Sequence, residues 1–347
     1  MPRTRRTSHS ALLAAAVTCL LPVLAFAAQQ APPAATPPTT PAASPTAPAT
    51  PPPMRTPPDA RTSEKGLGLV PPANPALPSL ILIGDSTVRN GHGKGDQNQW
   101  GWGAPIADLF DPAKINVVNH AIGGLSSHSY ISQGHWDLAL EIIKPGDIVL
   151  IQWGHNDGGI NLPGAAPVPD AGLAPGATPP TPPPGVAPRG PNVGGSLPGI
   201  GEETLDATNA RSGKVETVHT YGWYLRKYIA DVKAKGATPI ICSLVPRKIW
   251  VDGKVRRQTD TYRGWAQQVA EQQHVGFVDL NEIIARRYDA LGPDAVDKLF
   301  GDPHTHTDWD GAVLNAESVV AGLRALPHDP VAKYLSDKGR AISAYKP

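Results

Sequence analysis

A run of aliphatic residues, Leu80-Ile81-Leu82-Ile83, stops at Gly84-Asp85-Ser86, and the same event repeats down the chain. Branched aliphatics suit strands, whereas Gly, Asp and Ser end strands and cap helices. Ile115-Asn116-Val117-Val118-Asn119 runs into Ala121-Ile122-Gly123-Gly124, and Asp147-Ile148-Val149-Leu150-Ile151-Gln152 leads to Gly154-His155-Asn156-Asp157. Counting 80–84, 115–119, 147–153, 238–245 and 275–280, five strands are predicted. Between and after them, 104–110, 136–143, 218–235, 261–273, 280–288 and 312–325 carry helical periodicity. In 218–235, for example, Tyr221, Leu225, Tyr228, Ile229 and Val232 form one stripe, and Gly236 is a natural stop. Short apolar strands alternating with amphipathic helices predict an α/β fold around a parallel sheet.

Composition divides the rest. Of the 40 prolines, 28 fall in two tracts, 32–78 and 163–198. Outside these tracts and the N-terminal segment, roughly 230 residues of ordinary composition remain, enough for one well-buried domain. Residues 1–27 read as an export signal: Arg3, Arg5 and Arg6, then an apolar stretch, then Ala25-Phe26-Ala27 as a cleavage site. Pro22 breaks the apolar run, which is short for a membrane span. The expectation is a secreted or periplasmic protein with no membrane span after cleavage. Residues 28–78, rich in Pro, Ala and Thr, read as a disordered linker, leaving 79–347 as the domain. Within it, 158–216 is far longer than an ordinary connection, and its middle, 162–201, is mostly Pro, Gly and Ala. That stretch is expected to be a disordered insertion. Loss of the signal leaves Cys242 alone, so no internal disulfide can form. A net charge of +1, with no basic run beyond the N-terminus, argues against nucleic acid as a partner.

Chemistry-bearing residues cluster at the ends of the apolar runs. Ser86 follows the first run, Gly124 the second and Asn156 the third, and Gly301-Asp302-Pro303-His304-Thr305-His306 precedes the last helical segment. In α/β folds, sites form at the carboxyl ends of strands. A serine hydroxyl becomes a nucleophile only when a base takes its proton. Elimination among the eleven histidines leaves His304 and His306, and alternation along an extended loop does not separate them.

These four blocks together resemble the SGNH (GDSL-type) hydrolases. Glu216-Thr217-Val218-His219-Thr220-Tyr221-Gly222-Trp223 and His304-Thr305-His306-Thr307, with Gly311-Ala312, draw the likeness toward the rhamnogalacturonan acetylesterase branch. The resemblance, over about 79–326, implies a three-layer, flavodoxin-like fold with a central parallel five-stranded sheet. It implies Ser86 as nucleophile, His306 as base, and the backbone N–H of Ser86, the backbone N–H of Gly124 and the side-chain amide of Asn156 as oxyanion donors. Family members set the orienting aspartate three residues before the base. Here Pro303 holds that position and Asp302 lies one residue earlier, with Asp308 and Asp310 as fallbacks.

The resemblance further implies a serine carbohydrate esterase. It would remove acetyl groups from an acetylated plant cell-wall polysaccharide, a pectic one such as rhamnogalacturonan, through an acetyl-Ser86 intermediate, with no metal and no cofactor. Trp100, Trp102, Trp153 and Trp250 lie at predicted strand ends and suit stacking on sugar rings, while Arg247 suits a uronate carboxylate. The alternatives are a lipase or thioesterase with the same machinery, and a non-catalytic polysaccharide-binding protein whose shifted aspartate marks a decayed site. His304, His306, Asp308 and Asp310 also invite a metal reading, since His-x-His is a common ligand pair. A flavodoxin-like cofactor binder is disfavoured, because the first loop lacks a phosphate-cradling cluster.

Overall fold

The computed structural model describes residues 70–90, 93–158, 194–208 and 215–347. The expected export signal, most of the linker and most of the insertion lie outside the described residues. In chain order the elements are β1 (Ser79–Gly84), β2 (Asn116–Asn119), α1 (Ser127–Ser132), α2 (His135–Ile142), β3 (Ile148–Gln152), β4 (Thr204–Thr208), β5 (Val215–His219) and α3 (Tyr221–Ala234). There follow β6 (Thr238–Cys242), β7 (Trp250–Val251), β8 (Lys254–Val255), α4 (Tyr262–Gln272), β9 (Gly276–Val278), α5 (Leu280–Leu291), α6 (Pro293–Asp297), α7 (Trp309–Arg324) and α8 (Asp337–Ala341).

All five expected strands form one sheet in the order β2-β1-β3-β6-β9, every pair parallel. Among these five, β1 and β3 flank the point where the winding reverses, the crevice where flavodoxin-like sheets place their sites. Side chains alternate between two cores. Leu80 and Leu82 of β1 join Leu150 and Ile240 beneath α5 and α7, whereas Ile81 and Ile83 join Val149, Ile151 and Ile241 beneath α2, α3 and α4. Strands covered on both faces read as continuous apolar runs. The stripe expected on α3 is buried in full. The result is a three-layer α/β fold.

Several boundaries differ from expectation. The helix predicted over 218–235 starts at Tyr221, because Thr220 caps it by accepting the Trp223 N–H at 3.1 Å. Val215–His219 is a strand instead, paired antiparallel with β4, and its Val218 packs against Leu197. The helix expected over 104–110 shrinks to a 3-10 turn, Pro105–Leu109. The domain begins before 79: the Asn74 N–H donates to Asn116 Oδ1 at 2.9 Å, and Lys144 Nζ donates to Leu77 O at 2.7 Å. The expected disorder over 162–201 fails at its C-terminal end, where Ser196 and Leu197 are fully buried. Leu197 bonds the backbone of His219 and Tyr221 there.

Candidate active site

Ser86 sits in the turn that follows β1, half-buried and facing the carboxyl end of the sheet. Gly84 is needed there for space, since a Cβ would lie 2.7 Å from Gln152 O and 2.6 Å from Val88 Cγ2. Asp85 turns inward. Its Oδ1 accepts from the Thr87 N–H at 2.9 Å and the Thr87 hydroxyl at 2.7 Å, and its carbonyl accepts from the N–H groups of Val88 and Arg89. Burial pushes the Asp85 carboxyl above its ordinary range, against the lowering effect of the Thr87 bonds. Thr87 Oγ1 in turn accepts from Gln152 Nε2 (2.7 Å), whose Oε1 accepts from Trp102 Nε1 (2.8 Å). This buried polar chain ties the nucleophile turn to the end of β3.

Three residues then fall into line. His306 Nε2 lies 2.9 Å from Ser86 Oγ, and His306 Nδ1 lies 2.5 Å from Asp302 Oδ2. The other carboxylate oxygen, Oδ1, accepts the backbone N–H groups of His304 (2.9 Å), Thr305 (2.6 Å) and His306 (3.0 Å). The extra residue before the histidine is thus taken up in a tight loop wrapped around one carboxylate. Burial disfavours the Asp302 carboxylate, but the His306 bond and these three N–H groups outweigh it and hold the group well below its usual range. His304 faces elsewhere, its Nδ1 2.5 Å from Thr305 Oγ1 and its carbonyl accepting from the Lys248 N–H. Thr307 pins the loop from the far side: its carbonyl accepts the Trp100 N–H at 2.7 Å and its hydroxyl donates to Trp100 O at 2.9 Å.

The expected oxyanion donors border the same turn. Gly124 is exposed with φ +80°, a conformation that favours glycine, whereas a Cβ would meet nothing within 4 Å. Among the described residues, the backbone N–H groups of Ser86 and Gly124 have no acceptor. Asn156 Nδ2 donates to Leu125 O at 3.0 Å, fixing the amide against the Gly123-Gly124 loop. Next to it, Asp157 is fully buried: its Oδ1 accepts from the Ser127 N–H (3.1 Å) and hydroxyl, and from the Ser196 hydroxyl (3.0 Å). Burial, ahead of these bonds, raises its pKa to about 6. Asp157, Ser127 and Ser196 escaped the sequence reading. The Asn-Asp pair and the Ser126-Ser127-His128-Ser129 capping pattern were visible, but not that the far end of the insertion returns to them.

The five residues expected to contact sugar part company. Trp102 is fully buried and committed to Gln152, so it offers no face to a ligand, and that expectation is corrected. Trp153 is likewise buried, stacked on Tyr228 and tilted against Tyr130. Trp100 and Trp250 are half-buried, the first edge-on to Trp309 at 4.8 Å, the second on the β7–β8 hairpin. Arg247 stands at the end of the β6 loop, its Nε 3.4 Å from His155 Nδ1 and its Nη2 3.4 Å from His155 O. Burial first, then the charges of Arg247 and His306, push the His155 pKa well down. The four residues of the metal reading diverge: His306 is held between Ser86 and Asp302, and Asp308 caps α7 by accepting from the Gly311 N–H. Among the described residues no group of three or more His, Cys, Asp or Glu is placed to hold a metal, and no helix is long and apolar enough to cross a membrane.

A family model described as the GDSL-like lipase/acylhydrolase family matches residues 82–312. A rhamnogalacturonan acetylesterase of Emericella nidulans is 29% identical over 257 residues, which is 74% of this chain and 88% of the relative. A Bacillus subtilis protein named "Probable rhamnogalacturonan acetylesterase" is 27% identical over 253 residues, 71% of this chain and 93% of the relative. Among solved structures, the Bacillus subtilis protein YxiM superposes with a TM-score of 0.51 at 21% identity, over 72% of this chain and 56% of that one. That last likeness concerns the fold.

Proposed function

Because the chain belongs to the GDSL-like lipase/acylhydrolase family and is a carboxylic ester hydrolase, we propose that it deacetylates a pectic polysaccharide, with rhamnogalacturonan the leading substrate. The observation that carries the mechanism is the line Asp302–His306–Ser86, with contacts of 2.5 and 2.9 Å. The substrate class is supported by the two similar acetylesterases and by Arg247 at the rim, a residue suited to a uronate carboxylate.

In this reading His306 Nε2 takes the proton of Ser86 Oγ as that oxygen attacks the acetyl carbonyl. Negative charge develops on the former carbonyl oxygen and is met by the N–H groups of Ser86 and Gly124 and the Asn156 amide, already oriented before the reaction. The intermediate collapses, the sugar hydroxyl leaves with the proton from His306, and acetyl-Ser86 remains. Water, deprotonated by the same nitrogen, attacks the acetyl group, and acetate departs as Ser86 regains its proton. Asp302 fixes the histidine tautomer and offsets the imidazolium charge. The shifted aspartate, which motivated a decayed binding protein, is no argument for decay, since Asp302 still bonds the ring. Export through the N-terminal segment would bring the enzyme to its polymer.

Acetate release tests the reading directly, from acetylated rhamnogalacturonan, homogalacturonan and xylan, alongside a p-nitrophenyl ester series of increasing chain length. The expected outcome is a preference for acetyl esters and for the pectic polymers. Faster turnover of long acyl chains would instead establish the lipase or thioesterase alternative.

A further inference from the structure

A second feature near the rim lies outside the triad. The β7–β8 hairpin and α5 wall a cavity of about 570 Å3 whose lining includes Lys254, Arg256, Arg257, Arg286, Glu282 and Asp289. Four cations against two carboxylates leave it a charge of +2 (four minus two), on a chain whose whole net charge is only +1. The excess is therefore local.

The two acids brace the cations. Glu282 bonds Arg257 Nε at 3.2 Å and Arg286 Nε at 2.7 Å. Asp289 bonds Arg257 Nη2 at 2.7 Å and accepts the Val255 N–H at 2.7 Å. Arg257 Nη1 also donates to Val255 O at 2.7 Å, so its guanidinium is held in a set plane. Lys254, at the hairpin's edge, is exposed. Preoriented guanidinium groups match carboxylates in a fork geometry that sulfur or hydroxyl ligands do not share.

The hairpin that walls the cavity is tied through its backbone to the catalytic loop. Residues 246–249 touch the catalytic loop through the Lys248 N–H to His304 O bond, at 3.0 Å, and Arg256 N–H returns to Ile249 O at 2.8 Å. From Arg247 beside His155 to Val251 on the hairpin is four residues, at most about 14 Å of extended chain. A polymer with an ester at Ser86 and a carboxylate at Arg247 would be led on toward the hairpin.

We propose that this cavity is a distal subsite of the same enzyme, where the cations of the hairpin and α5 bind uronate carboxylates of the polymer several sugars away from the acetyl group at Ser86. The proposal rests on the acetylesterase reading above and adds to it a means of holding an anionic chain. Linking a distal contact to the ester site raises the local concentration of the ester without touching the chemistry. Because the cations are partly solvated, the attraction is screened by salt.

Affinity electrophoresis tests it, with Ser86→Ala protein run through gels containing polygalacturonate or neutral xylan. The expected result is retardation by polygalacturonate alone, reduced by added salt. Lys254→Gln/Arg256→Gln should weaken it by about three- to tenfold, as should Arg286→Gln on the facing helix. Circular dichroism confirms that each variant is folded, and the use of two elements keeps the result independent of one substitution. In the active enzyme the loss should appear in KM for acetylated acidic polymer. Equal retardation of parent and variants, equal retardation by xylan, or none at all would overturn the subsite. If the wild type still releases acetate from pectic polymer in those cases, the acetylesterase reading stands by itself. Failure to release acetate from any polysaccharide would remove both.

Discussion

Asp302 holds His306 at two points: Oδ2 lies 2.5 Å from the ring Nδ1, and Oδ1 accepts the backbone N–H of the same residue at 3.0 Å. One carboxylate thereby sets both the ring's rotation and the position of its backbone. With Nδ1 committed, Nε2 is the nitrogen left to face Ser86, at 2.9 Å.

Substitutions in this line should therefore behave as one unit. Ser86→Ala and His306→Ala should each lower kcat on p-nitrophenyl acetate by about 10^4–10^6, and the double variant should be no worse than either. Asp302→Asn should cost on the order of 10^3–10^4 through the wrong tautomer. His304→Ala should cost less than about tenfold, since its ring faces Thr305 rather than the serine. A His304→Ala loss as deep as that of His306→Ala would reassign the base.

The five strands were legible because parallel strands buried on both faces leave unbroken apolar runs, as in 80–83 and 148–151. Ser86, Asn156 and the two-histidine block were legible because each follows such a run or a marked turn. What stayed hidden depends on distant partners. Trp102 looks like any tryptophan at a loop until Gln152, fifty residues on, claims its N–H. Val218 fits a helical pattern as well as a strand, and pairing with β4 decides it. Local pattern also gave no means to tell that Asp302, one place out of register, would be drawn in by three backbone donors.

Trp102 should act on stability rather than on sugar binding. Trp102→Phe removes the N–H and leaves Gln152 Oε1 buried without its donor, a cost of about 1–3 kcal/mol. For a domain of this size that corresponds to a fall in Tm of roughly 2–10 °C. KM for a polymeric substrate should stay near the parent value. A raised KM with unchanged Tm would restore Trp102 to the binding surface.

Two carboxylates should give opposite pH signatures. Asp302 is depressed in the folded protein, so its contribution is present above its unfolded pKa, about 3.9, and is lost as pH falls through the lower folded value. Asp157 is raised to about 6, so it is neutral in the folded state where the unfolded chain has already ionised. Stability from Asp157 therefore declines as pH rises from about 4 to about 6 and is level above that. Asp157→Asn keeps the acceptor oxygen for Ser127 and Ser196 and removes the ionisation. The Tm of Asp157→Asn relative to the parent should grow across pH 4 to 6, reaching on the order of 2–3 kcal/mol in stability. A constant difference across that window would show that Asp157 titrates normally.

The long connection should divide at a sharp point. Ser196 donates its hydroxyl and backbone N–H to Asp157, Gly195 O lies 3.0 Å from His128 Nδ1, and Leu197 is fully buried against Val218. The composition of 162–193 is mostly Pro, Gly and Ala, and its few larger aliphatics, Leu162, Val168, Leu173, Val186 and Val193, are too sparse to build a core. Replacing 162–193 by a short Gly/Ser bridge should leave Tm within a few degrees, because loop-closure entropy changes only logarithmically with length. Extending the same deletion through 201 should be a different experiment. It removes the Leu197 side chain, about 2–5 kcal/mol by analogy with core truncation, and strips Asp157 of a donor. Its Tm should fall by roughly 10 °C or more, and turnover should fall with it, since Asp157 adjoins Asn156. Thermal unfolding of the two deletions side by side checks this. If both melt alike, the 194–201 return does not anchor the site; if the shorter deletion already collapses, the tract upstream packs on the domain.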